Sequence, residues 1–138
     1  MSAPEVKVAA WPAPKGYANG RLGQGRPLHV AGQIGWDERG TFAEGDFLAQ
    51  FTKALENVIA VVRAAGGSVE DIAAMTVYVT DIAAYRAAGR SLGAIWRERM
   101  GKHYPAMALV GVAALVELAA LVEIQAVAYL DGTDGAAP

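Results

Sequence analysis

The segment that decides the fold is Leu121-Val122-Glu123-Ile124-Gln125-Ala126-Val127-Ala128-Tyr129-Leu130. Its apolar composition predicts a strand, and alternate residues of a strand point to opposite faces of a sheet. One face would carry only aliphatic side chains: Val122, Ile124, Ala126, Ala128 and Leu130. We expect this face to lie under helices. The other face mixes polar with apolar groups, and it needs cover because Leu121, Val127 and Tyr129 would otherwise form an exposed patch.

Upstream of this strand, helical and strand patterns alternate. Apolar residues recur at helical spacing over 46–65 and 81–100, where Asp46 and Asp81 can cap the helices. Strands are predicted at 28–34, 72–80 and 108–112, with an additional short strand at 5–9. Residues 1–27 otherwise form an irregular entry segment, and 132–138 a short disordered tail. This order predicts an α+β sandwich with both helices on one face of a mixed sheet.

The composition indicates one globular domain over the 138 residues. The chain is 54% hydrophobic and 19% charged, which suits a protein with a real core. Its net charge is −2 and its basic residues are scattered, so neither nucleic acid nor an anionic membrane is an expected partner. It has no cysteine, no signal-peptide pattern and no apolar run of about 20 residues, so we expect a cytoplasmic location.

Three short phrases carry a family resemblance. They are Tyr17-Ala18-Asn19-Gly20, Val30-Ala31-Gly32-Gln33-Ile34 and Tyr104-Pro105-Ala106-Met107, the last followed by the strand quoted above. In wording, order and spacing they resemble the Rid superfamily of reactive intermediate deaminases, also called YjgF-like proteins, from about residue 17 to residue 130. The resemblance implies a chorismate-mutase-like subunit, a homotrimer and a small-molecule cleft at each subunit interface. It also implies that 113–120, whose pattern fits helix or strand, is a connection.

The resemblance further implies which residues form the site. In the family's deaminases an arginine holds the substrate carboxylate, and a glutamate on the last strand positions or activates water. A serine, a tyrosine and backbone groups complete the pocket. Three positions agree with the family: Tyr17, Gly32 and Gln33. Three depart from it: Ala31 replaces the serine, Met107 the arginine, and Gln125 the second carboxylate of the last-strand phrase.

These departures predict a pocket altered for an apolar or aromatic ligand. Tyr17 and Gln125 are the predicted catalytic residues, although a glutamine can hydrogen-bond water but cannot act as a general base. The predicted binding residues are Tyr17, Ala31, Gly32, Gln33, Met107, Leu109 and Gln125, with His29 and Trp36 as further candidates. His29 is either a replacement acid or base, or a strand histidine satisfied by solvent, and the lack of an acidic partner favours the second.

Two functions of different classes stay open. The first is hydrolysis of a reactive enamine or imine by this variant site. The second is non-catalytic binding of a small apolar or aromatic metabolite in the same clefts. Ribonuclease activity, attributed to some relatives, is disfavoured because the chain is acidic and has no basic stripe. No metal or cofactor is expected, since His29 and His103 lack acidic residues at ligand spacing.

Overall fold

The structure, a computed structural model, describes residues 3–42 and 45–132. The strands are β1 (Glu5–Val6), β2 (Gly20–Arg21), β3 (Arg26–Gln33), β4 (Ile72–Val79), β5 (Ala106–Gly111) and β6 (Val122–Leu130). The helices are α1 (Phe47–Ala64), α2 (Ile82–Ala87) and α3 (Gly89–Met100), with a 3-10 turn at Val69–Asp71. The predicted α+β class is confirmed. The tail expected over 132–138 lies, apart from Gly132, outside the described residues.

The first long helix begins and ends where the sequence predicts. The Asp46 carboxylate accepts a hydrogen bond from the Ala49 amide at 2.9 Å and so caps the N-terminus of α1. At the other end Gly66 has a φ of 92°, a left-handed conformation that glycine adopts without strain. The helix buries one apolar stripe: Phe47, Phe51, Ala54, Leu55, Val58, Ile59 and Val62.

The prediction of a single helix over 81–100 is wrong in one respect, because the segment forms two helices. The Asp81 side chain caps α2, which ends at Ala87, and α3 begins at Gly89 after a turn at Ala88. Glycine is a poor helix former, so the chain breaks there at little cost. The stripe that faces the core nevertheless continues across the break through Leu92, Trp96 and Met100.

The four long strands form one mixed sheet in the order β3-β6-β4-β5. Strand β6 runs antiparallel to both β3 and β4, whereas β4 and β5 are parallel. The aliphatic face of β6 is fully buried beneath the helices, as the alternation predicts. Strand limits differ from the prediction by one to two residues, and 113–120 is a connection outside the strands.

The N-terminal segment is more ordered than predicted. Strands β1 and β2 pair antiparallel, and the short strand expected over 5–9 is limited to Glu5–Val6. The Arg21 guanidinium donates to the carbonyls of Ala3 at 2.6 Å and Tyr104 at 2.7 Å. These charge-assisted hydrogen bonds fix the entry segment beside the start of β5.

The face of the sheet opposite the helices is only partly covered by this chain. We call it the open face; it consists of Pro27, His29, Ala31, Ala74, Thr76, Tyr78, Ala106, Ala108, Val110, Glu123, Gln125, Val127 and Tyr129. The entry segment adjoins this face in two places. A Cβ at Gly23 would lie 2.0 Å from the Tyr129 ring, and Tyr17 and Asn19 border a depression with Thr76 and Ala108. The rest is a sheet surface of small and apolar residues with one polar cluster.

Candidate functional site

Tyr17 lies beside the edge strand β5. The Ala18 amide donates to the Pro105 carbonyl at 2.9 Å, and Ala18 forms a parallel bridge with Ala106. Two of the phrases that carry the family resemblance are thereby brought together. The Tyr17 side chain is 43% exposed at this edge, where a depression is bordered by Tyr17, Asn19, Thr76 and Met107.

Met107 and Leu109 point to the helix side of β5. Strand register pairs Met107 with the buried Met75 and Leu109 with the buried Val77, so these side chains share the core face. There they line a partly open cavity of about 270 Å³ between β5, α1 and the α2–α3 pair. The full lining is Gly16, Phe51, Val77, Tyr85, Arg86, Gly89, Leu92, Gly93, Trp96, Tyr104, Met107 and Leu109. The two predicted ligand-binding side chains of β5 therefore face a cavity with a largely apolar wall.

Gly32 lies against the carboxylate of Glu123. A Cβ at position 32 would lie 1.8 Å from Glu123 Oε2, so only glycine leaves room for the carboxylate in this position. The register of β3 against β6 shifts between Val30 and Gln33, so this contact lies at a β-bulge. The first glutamate of the last-strand phrase thus sits at the Gly-Gln pair, and it is half-buried on the open face.

Gln125 lies on the same face two residues further along β6. The Tyr78 hydroxyl donates to Gln125 Oε1 at 2.6 Å, and among the described residues the glutamine Nε2 has no acceptor. Register places Tyr78 opposite Glu123 and Thr76 opposite Gln125. Glu123, Gln125, Tyr78 and Thr76 therefore form one polar cluster on the open face, in which Glu123 is the acidic group.

The remaining predicted residues lie on or near the edge strand β3. His29 and Ala31 are exposed on the open face. The Gln33 amide donates to the Ala31 carbonyl at 3.1 Å, and its Oε1 accepts from Trp36 Nε1 at 3.3 Å. Gln33 therefore holds the indole of Trp36 at the end of the strand, and Trp36 is 42% exposed.

Within one chain the predicted site residues form two groups. Met107 and Leu109 lie on the helix side of β5, and His29, Ala31, Gly32 and Gln125 lie on the open face. Tyr17 lies at the β5 edge between them, where it borders a depression with Thr76. Sequence reasoning assigned the last-strand polar role to Gln125 and did not single out Glu123. The signal was present in the alternation, because Glu123 shares a face with Gln125, but its contact with Gly32 is visible only in the fold.

His103 serves the core. Its Nε2 lies 2.7 Å from the Ile72 carbonyl, to which the neutral ring donates, and its own carbonyl accepts from Trp96 Nε1 at 3.0 Å. Burial lowers the pKa of His103 from its ordinary value of 6.5, against the opposing effect of the hydrogen bond to Ile72.

Within the described ranges, no three His, Cys, Asp or Glu side chains come close enough together to hold a metal ion. In the same ranges no helix has the length and hydrophobicity needed to cross a bilayer.

These features define a class of protein: an α+β domain with a largely uncovered sheet face, a polar cluster that contains one carboxylate on that face, and an apolar cavity at one sheet edge. A family model described as endoribonuclease L-PSP matches residues 8–130. This match covers most of the chain, and a solved structure of the Rid family matches over a similar length. The chain therefore belongs to the Rid (YjgF-like) superfamily.

Individual relatives agree with this assignment. A RutC family protein of Pyrococcus abyssi is 32% identical over 103 residues, which are 74% of this chain and 78% of the relative. The structure of a Yersinia pestis protein of unknown function from the conserved Rid family is 31% identical, with a TM-score of 0.80 and coverage of 94% of this chain and 100% of that one. The structure of E. coli TdcF with bound serine is also 31% identical, with a TM-score of 0.68 and coverage of 93% and 99%.

Proposed function

We propose that this protein is a homotrimer that hydrolyses a reactive enamine or imine in clefts between its subunits. The observation that carries the proposal is the Glu123 carboxylate held against Gly32 in a polar cluster, on a sheet face that its own chain leaves largely bare. The family resemblance implies the reaction class. The bound serine in the TdcF structure supports a small-molecule ligand for a protein of this fold.

The bare face supports self-association. Val127 and Tyr129 are half-buried on it, and Val110 is 41% exposed. Burying such a face between copies of the chain would stabilise the assembly by about 25 cal/mol per Å² of apolar surface removed from water. Packing against further copies of the chain would also bring the β5-edge group of one subunit near the open-face group of another. The two halves of the predicted site would then share one cleft.

Glu123 suits the hydrolytic step. Water adds to the carbon of a C=N bond, and one of its protons passes to nitrogen to give a carbinolamine. As the C–N bond then breaks, the hydroxyl proton also passes to nitrogen, which leaves a carbonyl compound and ammonia. A carboxylate beside the attacking water can accept the proton and return it to the leaving nitrogen. Gln125 and Tyr78 supply hydrogen bonds that position water or ligand, consistent with a glutamine that cannot act as the base. Water is the only co-reactant.

The hydrolase proposal is tested with imines generated by an amino-acid oxidase, with ammonia release measured over the spontaneous rate. The wild type is expected to accelerate release, and Glu123→Gln to lose most of the acceleration while keeping its fold. Glu117→Gln, in the exposed β5–β6 connection, is the matched control and is expected to match the wild type. If Glu123→Gln kept the activity of the wild type, Glu123 would not be the base.

The alternative function is non-catalytic binding of a small apolar or aromatic metabolite. It is favoured by the apolar lining of the β5-edge cavity and by Met107 in place of an arginine. Saturable ligand binding by the wild type, with no acceleration for any imine of a broad panel, would select this function over hydrolysis.

The assembly is tested separately by light scattering. We expect a mass near three times the 14.4 kDa of one chain. Val127→Glu places a charge at the centre of the open face and is expected to give smaller species. Val116→Glu, at a fully exposed valine of the β5–β6 connection, is expected to keep the wild-type mass. A wild-type monomer at every concentration would refute the trimer.

A further inference from the structure

The cavity at the β5 edge has the size and wall of a site for a small aromatic molecule. Its volume of about 270 Å³ is close to the lower end of the range of small-molecule pockets, roughly 300–1,000 Å³. Trp96 and Tyr104 are stacked within its wall, with ring centroids 5.8 Å apart and ring planes 5° apart. Met107 and Leu109 of β5 also line the cavity, and the unbranched Met107 side chain can adapt to the shape of a ligand.

Arg86 is the single charged residue among those that line this cavity. Within the part of the chain that the structure describes, its guanidinium makes no hydrogen bond and no ion pair. No aspartate or glutamate of the described residues lines the cavity with it. A guanidinium without a partner at the edge of an apolar cavity is a ready site for a planar anion, which it can bind through two parallel hydrogen bonds.

Two glycines of α3 keep the space beside Arg86 open. A Cβ at Gly89 would meet no atom within 4 Å, so the missing side chain leaves empty volume in the lining. A Cβ at Gly93 would lie 3.4 Å from Nη1 of Arg97, which places a second guanidinium close to the same wall. Arg86 in the lining and Arg97 beside it therefore give this side of the cavity a positive charge, and an anionic ligand is favoured over a cationic one.

We propose that the cavity binds a small aromatic carboxylate, with Arg86 on the carboxylate and the ring against Trp96, Met107 and Leu109. The inference rests on the proposed function, because it names the substrate class of the same site. The positive charge comes from α2 and not from β5, so the methionine at 107 is free to pack against the apolar body of the ligand. Arg86 is accordingly a specificity residue, and Glu123 keeps the hydrolytic role.

The test uses phenylacetate and its neutral isostere phenylacetamide, titrated into the full-length protein by calorimetry. The wild type is expected to bind phenylacetate roughly tenfold more tightly than the amide, the size of one charge-assisted contact that is partly exposed to solvent. Arg86→Gln is expected to remove that preference and to leave binding of the amide unchanged. Arg90→Gln removes an exposed arginine of α3 that does not line the cavity, and it is expected to behave as the wild type.

A double variant distinguishes loss of the guanidinium from local damage to the structure. Arg86→Gln combined with Met107→Arg returns a guanidinium to the cavity from β5, and it is expected to restore the preference for phenylacetate. Equal binding of acid and amide by the wild type, an unchanged preference in Arg86→Gln, or no binding of phenylacetate at its solubility limit would each overturn the assignment.

These outcomes are distinct from failure of the hydrolase proposal. Arg86-dependent binding without imine hydrolysis would leave a binding protein with this ligand class. Glu123-dependent hydrolysis without Arg86-dependent binding would leave a hydrolase with a different substrate.

Discussion

Replacing Gly32 by alanine should disable the proposed hydrolase without unfolding it. The added Cβ would lie 1.8 Å from Glu123 Oε2, 2.7 Å from its Cδ and 2.9 Å from its Cγ. Real Cβ contacts essentially never fall below 3.0 Å, so the carboxylate oxygen must move by at least about 1.2 Å. The backbone itself accepts alanine, because Gly32 is not among the glycines with a left-handed φ.

The expected magnitudes separate activity from stability. A displacement of about 1 Å in a catalytic group costs on the order of a hundredfold in rate. The Glu123 side chain is only half-buried and can swing away, so the loss in stability should stay below about 1 kcal/mol. Alanine also has a smaller entropy cost in a strand than glycine, which offsets part of that loss.

The assay is ammonia release from enzymatically generated imines, with thermal denaturation of the same samples. Gly20→Ala is the matched control, because its Cβ would make only an ordinary contact of 3.6 Å with Val6. We expect Gly32→Ala to resemble Glu123→Gln in rate and the wild type in melting temperature. A Gly32→Ala protein that is fully active would refute the claim that the carboxylate must lie at this position.

Three further predictions concern the core and the cavity. Gln50→Leu should lower the free energy of unfolding, measured by chemical denaturation, by roughly 2–4 kcal/mol. The reason is that the buried side-chain amide of Gln50 makes three hydrogen bonds, including one at 2.7 Å from the Leu121 amide. A loss below about 1 kcal/mol would contradict this. Since burial lowers the pKa of His103 below 6.5, the unfolded chain binds a proton that the folded chain excludes, so stability should fall as pH drops through 6.5. His103→Gln should flatten that slope in melts between pH 7.5 and 5.5, and an unchanged slope would assign it to other groups. Met107→Arg combined with Gln125→Glu should create or improve hydrolysis of 2-aminoacrylate-type imines, because the two changes return the guanidinium and the second carboxylate of the family's deaminases. No gain from this double variant in an intact trimer would count against the mapped positions.

Much of the candidate site could be listed from the sequence, but its geometry could not. The segments around Tyr17, Gly32 and Met107 could be identified from the sequence because the residues of each segment are contiguous. Arg86 could not be identified in this way, because a Tyr-Arg-Ala segment of a helix does not show that its arginine lines a cavity together with β5. Glu123 was overlooked in favour of Gln125, since both lie on one face and only the packing of Gly32 distinguishes them.

The sequence by itself determined the α+β class, the capped start of α1 and the two faces of β6, because these depend on local spacing and on the two-residue period of a strand. Only the tertiary structure decided which sequence-distant groups meet. The parallel pairing of β5 with β4 placed Met107 beside Met75 on the helix side, while the antiparallel pairing of β6 with β4 brought Gln125 close to Tyr78. Strand pairing across many residues is a property of the whole chain, so no local pattern encodes it.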